Sequence, residues 1–194
     1  CLVINKEFAN PTDYDYFIVE MGAYVEGEIR DICKLTNPQI SMVTAVGPQH
    51  LERFGSIETT ARAKYEIIDA LPPDGVGVFN WDNSYVRAMY ERGYPNTNIA
   101  ITWQNADHTN HLRILAQNIN ETTEGLSFDV VDTFTDDTQR FSTSLVGRHN
   151  VTNILMATAV ARHLGMSLAE IAMRITTLKS AEHRLQRKTF PNGV

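Results

Sequence analysis

A chain of 194 residues with 43% hydrophobic and 21% charged residues can bury a core without disulfide staples. Its 17 Lys plus Arg against 23 Asp plus Glu give a formal net charge of -6, which argues against broad binding to nucleic acid or to an acidic membrane surface. No apolar run reaches the roughly eighteen residues of a membrane span and no leader is visible, so a cytoplasmic setting is the default expectation.

In chain order, "YDYFIVEM" (Tyr14 to Met21) predicts a buried strand ending in an acid, its apolar residues running together as in a sheet covered on both faces. "GEIRDICKL" (Gly27 to Leu35) has helical spacing, and "NPQ" breaks it. "ISMVTAV" (Ile40 to Val46) is the second predicted strand. Ser56 is a candidate N-cap for a helix that carries Ile57, Ala61, Lys64, Tyr65, Ile68 and Leu71. A strand at "VGVFNWD", a short helix over 84–92 and a strand at "NIAITW" (Asn98 to Trp103) complete an alternating pattern. That alternation predicts an α/β fold, a mostly parallel sheet flanked by helices.

The rhythm then changes. "HLRILAQNINE", "GLSFDVVD" and "TQRFSTSLV" alternate polar and apolar residues between turn signals, which predicts a small antiparallel β-meander. Helical spacing returns over 150–164 and ends at Gly165. A last helix, about 167–178, opens with the capping box Ser167 and Glu170. The expected organisation is an α/β part over 1–104, antiparallel strands over 105–146, helices over 147–179 and the start of a link over 180–194. An opening on "CLVINKEF" without Met and a close on "KTFPNGV" read as the interior of a longer protein.

Several side chains are candidates for chemistry. Glu20 ends the first predicted strand and His50 follows the second, both at the edge where open α/β sheets bind ligands. A carboxylate and an imidazole there suit magnesium, although Glu20 before a glycine turn and His50 in a loop also fit plain surface positions. Lys64 lies close to the apolar helix face. It either snorkels to solvent or is a lysine kept neutral, able to take up carbon dioxide as a carbamate and so become an oxygen ligand. In "GRHNVTN", Asn150 and Asn153 share a helix face; they could read a base edge, or Asn150 could cap the helix. Arg184 in "AEHRLQR" is a phosphate fork or part of a solvated charge run. Neither a G-x-x-x-x-G-K-[ST] loop nor a G-x-G-x-x-G motif is present, and Cys1 and Cys33 lack metal or redox spacing.

Taken together, "VEMGAYVEGEI", "PQISMVTAVGPQHLERFGS", "AKYEI", "VFNWDN", "GRHNVTN" and "EHR", in that order, resemble the central ATP-binding domain of the Mur ligases. The resemblance is strongest to the branch that adds D-alanyl-D-alanine to a UDP-N-acetylmuramoyl-tripeptide in peptidoglycan synthesis. It implies a P-loop-NTPase-like fold and ATP-dependent amide bond formation through an acyl phosphate. ATP and magnesium are the implied cofactors, and the UDP-linked peptide and the dipeptide the implied partners. By the same resemblance Glu20, His50 and a carbamylated Lys64 match the magnesium ligands, Asn150 and Asn153 match the adenine-side amides, and Arg184 matches the arginine near the nucleotide phosphates. The family's phosphate loop and its N- and C-terminal domains are expected outside this chain, which by itself should be inactive. Ala45 stands where family members commonly carry Asn, and Pro48 is unusual before His50. A folylpolyglutamate-synthase-like ligase and a non-catalytic nucleotide-binding domain are the alternatives.

Overall fold

The structure, a computed structural model, describes residues 15–48, 55–104 and 112–179. In chain order the elements are α1 (Glu28–Thr36), β1 (Ile40–Val43), α2 (Ile57–Asp69), β2 (Val76–Asn80), α3 (Ser84–Tyr90) and β3 (Thr97–Thr102). Then follow β4 (Leu112–Thr122), β5 (Gly125–Asp132), β6 (Asp137–Thr143), α4 (His149–His163) and α5 (Leu168–Ile175).

The six strands form one sheet in the order β1-β2-β3-β4-β5-β6. β1 to β4 pair in parallel, with Ile40 opposite Val76, Val76 opposite Thr97 and Ala100 opposite Leu112. β4, β5 and β6 are antiparallel neighbours. The meander expected from the alternating sequence is therefore an extension of the parallel sheet. Leu126, Phe128 and Val130 of β5 are buried on one face, as their spacing requires.

β2 is buried along its whole length because helices cover both of its faces. On one side α4 and α5 close a core of Val78, Ile99, Ile101, Ile114, Phe128 and Phe141. On the other, Phe79 and Val43 pack with Tyr65 and Ile68 of α2 and Val86 and Met89 of α3. At roughly 1.5–3 kcal/mol for each fully buried large apolar side chain, these two layers carry most of the stabilisation. α1 packs on α2, one layer further from the sheet.

Local signals hold in detail. The Ser56 side chain accepts from the Thr59 amide at the start of α2. Ser167 and Glu170 form the reciprocal capping box at the start of α5. Gly165 ends α4 at φ 94°, a left-handed position.

One expected element is absent. The described part of the Tyr14 to Met21 stretch, residues 15–21, pairs with no strand, and Tyr16 and Ile18 are 64% and 85% exposed. A continuous apolar strand needs cover on both faces and a hydrogen-bonding neighbour. Among the described residues no strand pairs with this stretch, and β1 is the last strand of the sheet on that side. Glu20 consequently stands, exposed, in a stretch outside the sheet and not at the end of a central strand.

Candidate functional site at the edge of the parallel strands

The residues that leave the parallel strands are tied together by side chains from neighbouring loops. Just past β1, the main chain at 44–46 is held from two directions. Asn80, at the end of β2, donates its amide to the Thr44 carbonyl at 2.8 Å. Asn83 donates to the Val46 carbonyl at 2.9 Å and accepts from the Val46 N–H at 3.4 Å. Between those two anchors lies Ala45, whose carbonyl accepts from the Lys64 ammonium at 2.7 Å. α2 is itself fixed to β1, because the Ser41 hydroxyl donates to the Ile67 carbonyl at 3.1 Å.

Lys64 is half-buried, and desolvation pushes its pKa below the ordinary lysine value. Its partner is a neutral carbonyl, not a carboxylate. The half-buried stem and the bonded head place this lysine at the strand edge.

The second half of the edge is built on Asp82. Its carboxylate accepts from the Thr102 hydroxyl and, at 3.0 Å, from the Trp103 N–H, just past the end of β3. The Trp103 indole then donates to the Thr152 hydroxyl at 2.9 Å. Thr152 sits in the opening turns of α4, so this bond draws the N-terminal end of α4 to the same edge of the sheet. There the Asn153 side-chain amide donates to the Asn150 side-chain oxygen, Oδ1, at 3.5 Å, and the Asn150 Nδ2 donates to the Val146 main-chain carbonyl at 2.8 Å. Asn150 is therefore not the N-cap of α4; that position is Arg148, without a side-chain cap bond. The two asparagines share one face, as expected, with Asn153 exposed.

Of the candidate residues, the structure brings Lys64, Asn150 and Asn153 to elements that share one edge. Glu20 is described and solvent-exposed. His50 and Arg184 lie outside the described residues. Among the described residues no group of three or more His, Cys, Asp or Glu forms a metal-binding cluster. For a magnesium ion the described residues offer the exposed Glu20 carboxylate, a hard oxygen ligand, and the half-buried Lys64 head group.

A cleft of about 370 Å³ lies elsewhere, between α1, α2 and Arg92. Its arginines are engaged. Arg62 pairs with Glu26 at 2.7 Å, Arg30 with Glu66 at 3.3 Å, and Arg92 stacks on the Tyr65 ring at 4.2 Å. Glu66 is 4% exposed and accepts from the Gly27 and Arg30 amides at 2.7 and 3.0 Å, so it caps α1 from a neighbouring helix. The cleft joins helices; it does not adjoin the strand ends.

Sequence reasoning missed Asn80, Asp82 and Asn83 as individual site residues, having used their motif for resemblance alone. The available signal was chemical. A polar residue at the end of a fully buried strand must find a hydrogen-bond partner, and the nearest groups in a parallel sheet are the main-chain atoms leaving the next strand.

An open α/β sheet with a polar, multiply tethered C-terminal edge and a helix N-terminus drawn to it defines a ligand-binding α/β domain. The chain belongs to the Mur ligase family: residues 2–161 match the Mur ligase middle domain. It is 32% identical over 177 residues to the UDP-N-acetylmuramoyl-tripeptide–D-alanyl-D-alanine ligase of Escherichia coli, a match covering 89% of this chain and 37% of that protein. It is 28% identical over 186 residues to the Bacillus subtilis ligase of the same name, covering 96% of this chain and 38% of that one. The fold superimposes on MurF from Acinetobacter baumannii with a TM-score of 0.77 at 24% identity, covering 89% of this chain and 36% of that one. The chain thus spans well under half the length of the curated relatives it matches.

Proposed function

We propose that the chain is the central part of a longer ligase that uses ATP and magnesium to add D-alanyl-D-alanine to a UDP-N-acetylmuramoyl-tripeptide during peptidoglycan synthesis. The observation that carries this reading is the seat of Lys64 on the Ala45 carbonyl at the strand edge, in a chain whose relatives are ligases of that name. Those relatives favour it over a folylpolyglutamate-synthase-like ligase or a non-catalytic domain.

In this reading the substrate carboxylate oxygen attacks the γ-phosphorus of ATP and ADP leaves, giving an acyl phosphate. The dipeptide amine then attacks the acyl carbon, the tetrahedral intermediate expels phosphate, and the amine proton is lost. Bound magnesium would neutralise charge on the transferring phosphoryl group. Glu20, His50 and a carbamylated Lys64 would hold it. Asn150 and Asn153, linked amides on the first turns of α4, would offer donors and acceptors to the adenine edge. Arg184 would fork onto the nucleotide phosphates. Residues 180–194 would lead toward a further domain, and the reaction would run in the cytoplasm. No helix among the described residues is long and apolar enough to cross a membrane.

The test uses the full-length parent protein. Phosphate release from ATP with magnesium and the UDP-linked tripeptide should depend on D-alanyl-D-alanine, and Lys64→Ala should lower it by about a hundredfold, the scale of losing one transition-state electrostatic contact. Release that ignores both the dipeptide and the lysine would overturn the reading.

A further inference from the structure

We infer that Asn83 is a positioning residue for Lys64: its side-chain amide fixes the main chain at Val46 so that the adjoining Ala45 carbonyl is held where the lysine head can seat on it. This rests on the reading of Lys64 as a residue of the reaction site.

The geometry carries the inference. A single amide makes both hydrogen bonds that a neighbouring strand would make to Val46, one to its carbonyl and one from its N–H, at 2.9 and 3.4 Å. The same Asn83 oxygen accepts from the Val86 N–H at 3.2 Å and so caps α3. Reversing the amide would set donor against donor at two of these contacts and acceptor against acceptor at the third, so the orientation is fixed by its partners. β1 stops at Val43, and nothing in the strand ladder holds residues 44–46. Besides the burial of the Val46 side chain in the core, two side-chain amides hold them, Asn80 at Thr44 and Asn83 at Val46, on either side of the carbonyl that Lys64 uses. Asn80 is 7% exposed and buried in the strand end, where substitution threatens the fold. Asn83 is half-buried at the head of α3, where its two roles can be separated.

That separation gives the test. Serine and aspartate both cap helices well, but neither can donate to the Val46 carbonyl as the asparagine amide does: serine is too short and aspartate has no N–H. The full-length parent protein is compared with Asn83→Ser and Asn83→Asp. The first readout is brief acylation by acetic anhydride at fixed pH in bicarbonate-free buffer, with Lys64 and the exposed Lys34 quantified by mass spectrometry. The second is kcat and the KM for ATP in the phosphate-release assay. The third is the urea midpoint.

The expected result in the serine variant is a Lys64 acylation rate raised roughly fivefold, the scale of one lost hydrogen bond, with Lys34 unchanged; in the aspartate variant the added carboxylate favours the ammonium form and offsets that rise. The fall should appear in kcat, with KM for ATP held within about twofold and the urea midpoint retained. Unchanged Lys64 acylation and kcat in the serine variant would overturn the inference. So would a parallel rise at Lys64 and Lys34 with a lowered midpoint, which marks general loosening. Lys64→Ala is assayed alongside. If that variant keeps dipeptide-dependent phosphate release, the reading of Lys64 fails, while acylation still judges whether Asn83 holds its seat.

Discussion

The Lys64 ammonium donates to the Ala45 carbonyl at 2.7 Å, tying the middle of α2 to the chain just past β1. Burial lowers the pKa of this lysine below its ordinary 10.5. Between the lowered folded value and the ordinary one, the unfolded chain therefore binds more protons, and stability rises with pH across that window. The penalty is complete below the folded-state pKa and vanishes above the unfolded one. Lys64→Met removes the group and should flatten this part of the profile. Urea unfolding of wild type and variant from pH 7 to pH 10.5 checks it: the difference between them should shift in favour of wild type as pH rises.

Glu66 contributes to stability through α1, with no part in the strand edge. Its buried carboxylate takes the Gly27 and Arg30 amides, which lie at the positive end of the α1 dipole. Glu66→Ala leaves both without this acceptor and should cost about 2–3 kcal/mol by urea denaturation. Glu66→Gln keeps one acceptor oxygen and should cost about half as much.

The two halves of this structure were unequally legible in the sequence. Ser56, Ser167 with Glu170, and Gly165 could be read because a cap and its partner lie within a few residues of each other. The alternation of Leu126, Phe128 and Val130 likewise encodes its own face. The Tyr14 to Met21 stretch has strand composition, but pairing depends on a neighbour, which composition does not contain. Glu66 and Asn83 act across 39 and 37 residues of sequence, on main-chain atoms whose identity leaves no mark in the residue type. Capping the helix was one of the two roles the sequence left open for Asn150. It instead donates to the carbonyl of Val146, four residues back across Gly147, which sits at φ 94°.

Two glycines at positive φ should respond differently to alanine. At Gly125, φ is 151° and an added Cβ would lie 2.0 Å from the Thr143 carbonyl oxygen across the β5–β6 pair. Main-chain atoms in a sheet cannot yield cheaply, so Gly125→Ala should cost about 2–3 kcal/mol. Gly165 has φ 94° and open space around the site, so Gly165→Ala meets only the left-handed penalty, about 1–2 kcal/mol. Thermal unfolding of the two variants should rank them in that order.

The bond from Trp103 to Thr152 links the Asp82 anchor to the helix bearing Asn150 and Asn153. Trp103→Phe keeps most of the ring's packing and removes the indole donor. Thr152 then loses its tether to the strand edge, and in the proposed reading the amide pair on α4 is less well fixed for a nucleotide. A contact that matters equally in ground and transition states changes KM and leaves kcat alone. In the full-length parent protein the variant should raise the KM for ATP roughly fivefold, the scale of one neutral hydrogen bond, with kcat within about twofold of wild type. Steady-state phosphate release at saturating tripeptide and dipeptide measures both. A fall in kcat with KM unchanged would instead tie α4 to the chemical step and dissociate it from nucleotide binding.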